Sequence, residues 1–325
     1  MPLQQSLRHL DRAFKNFFRG RSRFPRFKSR RARQSAHYMR NAFTLKESGV
    51  RGKPLVLLAK MDAPLRIRWS RRLPSDPSSL VVTRDAAGRY FISFRVDIRA
   101  ERLPESDSAV GIDLGISDAV VTSNGKKYGN PRFLNKDLDR LRRAQRRLSR
   151  KRKGSANYER QRRRLARLHA RIRDRRLDFV HQLSTRLIRE NQTICLETLH
   201  VRNMVKNRRL ARAISDVAWS ELVRQLSYKG HWYGRDIVRI DPWYPSTKTC
   251  SGCGDVKDHL RLGDRQWRCA ECGALHDRDV NAARNILAVG TTVVASGGRV
   301  RPDVDRASRR STPFQPAPTA KGFAR

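Results

Sequence analysis

The 325-residue chain contains no apolar run near the ~20 residues of a membrane-spanning helix, and no basic-then-apolar leader opens it. Both absences argue against a membrane or secretory role and give the expectation of a cytoplasmic protein. Cysteine is scarce. There are five, four of them in CxxC pairs, a usage that suits metal ligation in a reducing compartment better than disulfides. Acid is also scarce: 30 Asp and Glu stand against 72 Lys and Arg, for a net charge of +42. A chain this basic repels itself unless a polyanion is present. Nucleic acid, held through phosphate contacts and counterion release, is the expected partner, and a membrane is not. There is no internal repeat of domain size and no recombinase nucleophile motif, so direct strand transfer by a Tyr or Ser is not expected.

What is present reads in order. Leu3, Leu7, Leu10, Phe14 and Phe17 recur at helical spacing, so residues 1–19 are expected to be the end of an amphipathic helix. Residues 20–35 interleave Arg21, Arg23, Arg26 and Lys28 with Phe24 and Phe27, rings that can stack on bases or anchor the loop to a core. Residues 36–100 are β-rich. Pro54–Leu58 and Leu65–Trp69 are short candidate strands, and Leu80–Thr83 and Tyr90–Val96 flank a turn at Asp85–Gly88, so a small antiparallel barrel is expected. Residues 101–108 form a polar linker. Residues 109–123 are apolar around Asp113 and read as one buried strand, followed by the Asn124-Gly125 hairpin turn. A helical hairpin occupies 137–190, turning at Gly154-Ser155. Its charge is of one sign from Arg142 to Lys153, which favours contact with nucleic acid. Thr193–Thr198 is a second buried strand, Ser215–Gly230 a helix, Asp236–Ile240 a third strand and Val280–Val289 a last short helix. The tail, rich in Gly, Ser, Pro and Arg, has the composition of a disordered segment.

Cys250-x-x-Cys253 and Cys269-x-x-Cys272 are separated by fifteen residues. Two such turns present four thiolates, enough for a closed tetrahedral Zn2+ site, which is structural rather than catalytic. His276 is a competing ligand that a complete thiolate set leaves unneeded. Cys195, in an apolar strand, reads as core.

Three carboxylates stand in unusual places. Asp113 lies inside GIDLG and Glu197 inside ICLET, both strand contexts where an unpaired carboxylate is costly. Asp279 and its rival Asp277 lie at the start of the last helix, where an acid is ordinarily only a cap. Carboxylates gathered at strand ends can hold two Mg2+ ions ~4 Å apart, which clamp the attacking water and the leaving oxygen of a phosphodiester displacement.

The segments GIDLGISDAVVTSNG, NPRFLNKDLDRLRRAQRRLSRKRKGS, ENQTICLETLHVRNMVKN, ISDVAWSELVRQLSYKGHWYGR, DPWYPSTKTCSGCG and HDRDVNAARNIL resemble, in order and spacing, the TnpB (OrfB) proteins of bacterial insertion sequences, relatives of compact type V CRISPR effectors. The resemblance implies an α+β multidomain chain. A wedge or OB-like β-barrel would span 20–107, after a helical remnant at 1–19. A RuvC/RNase H-like α/β nuclease would occupy 108–246 and 276–290, with the basic hairpin inserted at 137–190 and a zinc ribbon at 247–275. A basic tail would fill 291–325. It implies Asp113, Glu197 and Asp279 as the catalytic triad and Mg2+ ligands, Asp279 being preferred to Asp277 by its place two residues before Asn281. Cys250, Cys253, Cys269 and Cys272 become the zinc ligands. The implied activity is RNA-guided cleavage of a DNA target, with a noncoding guide RNA from the transposon end, in a nucleoid-associated bacterial protein of a kind long called a transposase. Family members ordinarily carry further residues ahead of the LQQSLRHLDRAFKNFF segment, so a shortened N-terminus is expected, with weakened guide handling. The alternative is a nuclease-inert or unguided DNA- or RNA-binding descendant.

Overall fold

In a computed structural model, the described residues are 2–27, 29, 33–46, 54–261 and 263–295. Helix α1 spans Pro2–Phe18 and is followed by strands β1 (Gln34–Met39), β2 (Phe43–Lys46), β3 (Leu55–Leu58), β4 (Ser79–Arg84) and β5 (Tyr90–Arg95). Then come β6 (Ala109–Asp113), β7 (Asp118–Thr122), β8 (Lys127–Gly129), α2 (Phe133–Lys136), α3 (Leu138–Ser149), α4 (Ala156–Glu190) and β9 (Thr193–Leu196). The chain continues through α5 (Val201–Met204), α6 (Ala211–Val217), α7 (Trp219–Tyr233), β10 (Asp236–Arg239), β11 (Gln266–Arg268), β12 (Leu275–Asp277) and α8 (Arg278–Ala295). Two compact units result, one of residues 2–99 with 141–170, the other of 100–140 with 171–295. Among the described residues no helix is long and apolar enough to cross a membrane.

In the first unit, β1, β4 and β5 form one antiparallel sheet and β2 and β3 another. Phe43, Val56, Leu58, Leu80 and Ile92 make a single core between them. Among the described residues the β-rich segment forms these two sheets around one core. The expected strand at Leu65–Trp69 is reduced to isolated bridge residues at Leu65, which pairs with Val56, and Ile67, although Trp69 still stacks on Phe94. The hairpin at Asp85–Gly88 forms as expected, with the Gly88 N–H donating to the Asp85 carbonyl at 3.0 Å. Phe24 meets Phe14 and Phe17 of α1 edge-on but stays 61% exposed, and Phe27 is fully exposed, so neither loop ring enters a core. Lys28 lies outside the described residues. The turn of the basic hairpin sits at Gly154, whose φ of +89° an L side chain adopts only with strain.

The second unit is built on a five-stranded sheet in the order β10-β9-β6-β7-β8. β6, β9 and β10 run parallel, and β7 and β8 return antiparallel at one edge. Its core combines Ile112, Val120, Ile194 and Leu196 from the sheet with Leu183, Leu187 and Ile188 from α4 and Leu222 and Leu226 from α7. The stretch 109–123 is two strands, not one. The chain reverses at Gly115, where a Cβ would stand 2.7 Å from the Asp118 carbonyl, and the flanking Leu114 and Ile116 hide that turn inside an apolar run. The single helix expected over Ser215–Gly230 is likewise two, broken at Ala218 with φ +62°, a turn carrying neither Gly nor Pro to announce it. The last helix runs through Gly290 to Ala295, so residues 291–295 are helical and 296–325 lie outside the described residues. Gly290 is there for close packing: a Cβ on it would stand 2.6 Å from the Cys195 Cβ, and Cys195 is core as expected.

A candidate metal centre on one helix

Three elements bring the carboxylates together. In the parallel pair β6·β9, Gly111 faces Cys195 and Ile112 faces Leu196. One residue further along lie Asp113 and Glu197, the latter just past the end of its strand. Register neighbours in a parallel pair point to the same face, and that face repeats every second residue. Asp113 therefore shares a face with Gly111, and Glu197 with Cys195. Helix α8 covers this face. A Cβ at Gly111 would overlap the Ala283 carbonyl and stand 2.6 Å from the Leu287 backbone nitrogen. Ala283, Leu287 and Gly290 form one stripe of α8, and Asp279 lies on it one turn earlier. One helical turn advances ~5.4 Å and two strand residues ~6.6 Å, so the step from Ala283 back to Asp279 matches the step from Gly111 on to Asp113.

The electrostatics agree with that placement. Burial, then the Glu197 charge, then the Asp279 charge push the Asp113 carboxyl up to about 8, with Arg278 opposing. Burial pushes Glu197 up to about 6, against a backbone N–H from Leu114 at 3.4 Å. Arg278 thus falls short of offsetting the desolvation and like charges at Asp113, and Glu197 has only the one backbone N–H against its desolvation. The carboxylates stand wider than the cysteines: among the described residues, only the four thiols have ligand atoms all within 4.8 Å of one another.

The two acidic rivals differ in their surroundings. Asp277 Oδ1 accepts the N–H groups of Asp279 (3.2 Å) and Val280 (3.1 Å), an N-terminal cap for α8, and its Oδ2 pairs with Lys127 Nζ at 2.6 Å. Burial alone would raise its pKa, but Lys127 and the two N–H groups lower it. The Asp279 carboxylate takes no part in the cap, to which that residue gives only its N–H, and it meets Arg265 at 3.6 Å.

The cysteine cluster lies just beyond. Each CxxC closes a tight turn, with Gly254 N–H on the Cys250 carbonyl (2.9 Å) and Gly273 N–H on the Cys269 carbonyl (3.2 Å). The sulfur separations Cys250···Cys272 and Cys253···Cys269 are 3.7 and 3.6 Å. Four thiolates ~2.3 Å from a tetrahedral ion would lie ~3.8 Å apart, so the spacing fits. His276 is outside the four-thiol group. Its Nε2 lies 3.0 Å from Cys250 Sγ, a partner for the sulfur rather than a competing ligand.

Several residues escaped the sequence reading. Asn281 and Asn285, both buried, sit one turn apart on α8. Asn281 Nδ2 donates to the Thr249 carbonyl (2.7 Å) while its Oδ1 accepts the Ser251 N–H (2.9 Å). Asn285 Nδ2 donates to the carbonyls of Ser246 (2.8 Å) and Thr249 (2.6 Å). They tie the first cysteine turn to the helix that carries Asp279. Their signal was two amides four residues apart inside an apolar helix. Half-buried Arg176 and buried Asp216 pair at 2.7 Å, and Asp216 also accepts the Leu134 N–H, joining α4, α6 and the start of α2.

Comparison with known proteins agrees with these features. A family model described as "Probable transposase" (OrfB, IS605 type) matches residues 93–208, and one for the "Cas12f1-like, TNB domain" matches 219–286. A "Putative RNA-guided DNA endonuclease" of Streptomyces pristinaespiralis is 51% identical over 330 aligned residues, covering 100% of this chain and 80% of the relative. The "Putative RNA-guided DNA endonuclease InsQ" of Escherichia coli K12 is 34% identical, covering 92% of this chain and 77% of that one. The CRISPR-associated endodeoxyribonuclease Cas12f1 of Sulfoacidibacillus thermotolerans is 24% identical over 64% of this chain and 52% of its own length. With half of its residues shared with a relative across its whole length, the chain belongs to the TnpB (OrfB) family.

Proposed function

We propose that this chain is a transposon-associated, RNA-guided DNA endonuclease that hydrolyses phosphodiesters at a RuvC/RNase H-like site made by Asp113, Glu197 and Asp279. The observation that carries the reading is the β6·β9 register. It sets two half-buried carboxylates side by side at parallel strand ends, on the face that the first turns of α8 cover. The names of the full-length relatives support it, as does the net charge of +42.

The residues fit divalent cations. The carboxylates are hard oxygen donors, and Asp113 and Glu197 are held above their ordinary pKa with too little positive charge nearby. When bound, two Mg2+ ions would polarise the phosphodiester and ease deprotonation of the attacking water. Asp113, Glu197 and Asp279 would hold them, and the Leu114 N–H keeps Glu197 oriented. The positive end of the α8 dipole lies beside the same residues and favours a phosphate there. The cysteines fit Zn2+ by donor type and spacing, in a structural role. In this reading the barrel-type domain is 20–107, the nuclease 108–246 and 276–290, and the ribbon 247–275. DNA target and guide RNA are the partners, held in part by the basic hairpin at 137–190.

The test is to express the chain with its flanking genomic DNA, sequence the RNA that copurifies, and assay cleavage of a plasmid matching that RNA. A discrete RNA with Mg2+-dependent cutting is expected. Heterogeneous RNA with no cutting would reduce the chain to a nucleic-acid-binding protein.

A further inference from the structure

Beyond β10 the chain runs through Ile240, Asp241 and Pro242 to Trp243 and Tyr244. The Ile240 N–H donates to the Leu196 carbonyl at 3.0 Å, and the Ile240 carbonyl accepts from Thr198 Oγ1 at 2.8 Å. Ile240 thus brackets Glu197 between two hydrogen bonds. Three residues later comes an unusual surface feature. Trp243 is 85% exposed, whereas Trp219 is 3%, Trp267 5% and Trp232 39% exposed. Indole is the largest side chain and is strongly buried on average, so a ring this exposed is open to a partner on its face. The neighbouring ring does the opposite: Tyr244 packs inward on Cys195, Val238, Ile240 and Ile286.

The outward ring has a fixed seat. Asp241 Oδ1 accepts the Trp243 N–H at 2.7 Å, and the Asp241 carbonyl accepts the Tyr244 N–H at 3.3 Å. Pro242 and Pro245 restrict the backbone on either side. Three residues span at most ~11 Å and adjacent strands lie ~5 Å apart, so Trp243 stands within roughly 16 Å of the Glu197 backbone.

We infer that Trp243 is a stacking platform for an unpaired base of the DNA strand, a few nucleotides from the phosphate to be cut. The inference rests on the nuclease reading above. A base in an intact duplex has both faces covered, whereas an unpaired base offers a free face that any exposed indole accepts, whatever the sequence. A strand approaching the carboxylates along the sheet edge would pass this ring.

The test uses the full chain with its copurified RNA, made in an Asp113→Ala background and carrying Trp243, Trp243→Phe or Trp243→Ala. The probe is a short labelled single-stranded DNA in which each nucleotide in turn is made abasic. Trp243→Ala is expected to weaken binding roughly ten- to hundredfold, while Trp243→Phe stays within a few fold of the parent. One abasic position is expected to weaken binding to the Trp243 protein and to have no further effect on Trp243→Ala. Unchanged affinity in Trp243→Ala overturns the inference. So does a loss that leaves the abasic profile as it was, because the residue would then be only structural. The two readings fail separately: cleavage by Asp113→Ala at the parent rate would sink the nuclease site, while the abasic profile reads stacking alone.

Discussion

The cysteine cluster and the carboxylate cluster are served by the same helix, yet they are built by opposite means. Each pair of thiols comes from one short turn, closed by its own backbone hydrogen bond, and the two turns meet across a span of fifteen residues. The carboxylates, at 113, 197 and 279, come from two strands and a helix that touch only once the sheet is formed. The thiols converge to within 4.8 Å in a closed set that suits a structural ion. The acids stand wider, half-buried and short of positive charge, an arrangement that costs the empty fold stability and leaves room for substrate. Local turns make the site that suits structure, and long-range topology makes the one proposed to do chemistry.

Removing a thiol should give the largest effect. Cys269→Ser is expected to lose zinc by elemental analysis and to melt at much lower temperature, since structural zinc contributes on the order of 10 kcal/mol. Full zinc content with unaltered melting would remove the contrast. The acid side should respond differently. Asp113→Asn is expected to slow cleavage by roughly a thousandfold or more while zinc content and nucleic-acid binding persist, because transition-state charge stabilisation is lost but the fold is not.

The pH dependence sharpens the same contrast. Asp113 at about 8 and Glu197 at about 6 keep protons that the unfolded chain has released, so without divalent cations stability falls as pH rises from about 4 towards 8. Asp113→Asn should therefore melt higher than the parent at pH 8 and close to it near pH 4, read by calorimetry without added Mg2+. A parent whose melting is flat across that window would contradict the burial assigned to Asp113. Cleavage should rise from pH 6 to 8, since a cation must displace those protons.

The link between the sites should give the smallest effect. Asn285→Ala removes the side-chain donor from the Ser246 carbonyl and one of the two from Thr249, which keeps Asn281. It is expected to cost about 1–3 kcal/mol and to loosen the first cysteine turn, measured as faster zinc release to a chelator.

The contrast also explains what was legible in the sequence. The CxxC turns, the Asn124-Gly125 turn and the Gly154 turn are local chemistry, and all stand where the residues put them. Asp113 and Glu197 were visible as acids in apolar strands, but their adjacency depends on a pairing that spacing does not encode. Choosing between Asp277 and Asp279 required the resemblance. The structure supplies a physical distinction, because Asp277 is occupied by the α8 cap and Lys127. Where glycine was read as punctuation it misled: Gly290 lies inside a helix because Cys195 needs its space. The break at Ala218 had no local sign at all.

The most direct measurement is the cleavage rate of Asp279→Asn beside that of Asp277→Asn, each loaded with the same guide and target in Mg2+. The account predicts that Asp279→Asn is inactive with unchanged melting. Asp277→Asn should cut within a few fold of the parent and melt slightly lower, having lost its cap. An inactive Asp277→Asn beside an active Asp279→Asn would contradict it, because the helix would then be delivering the other acid to the site.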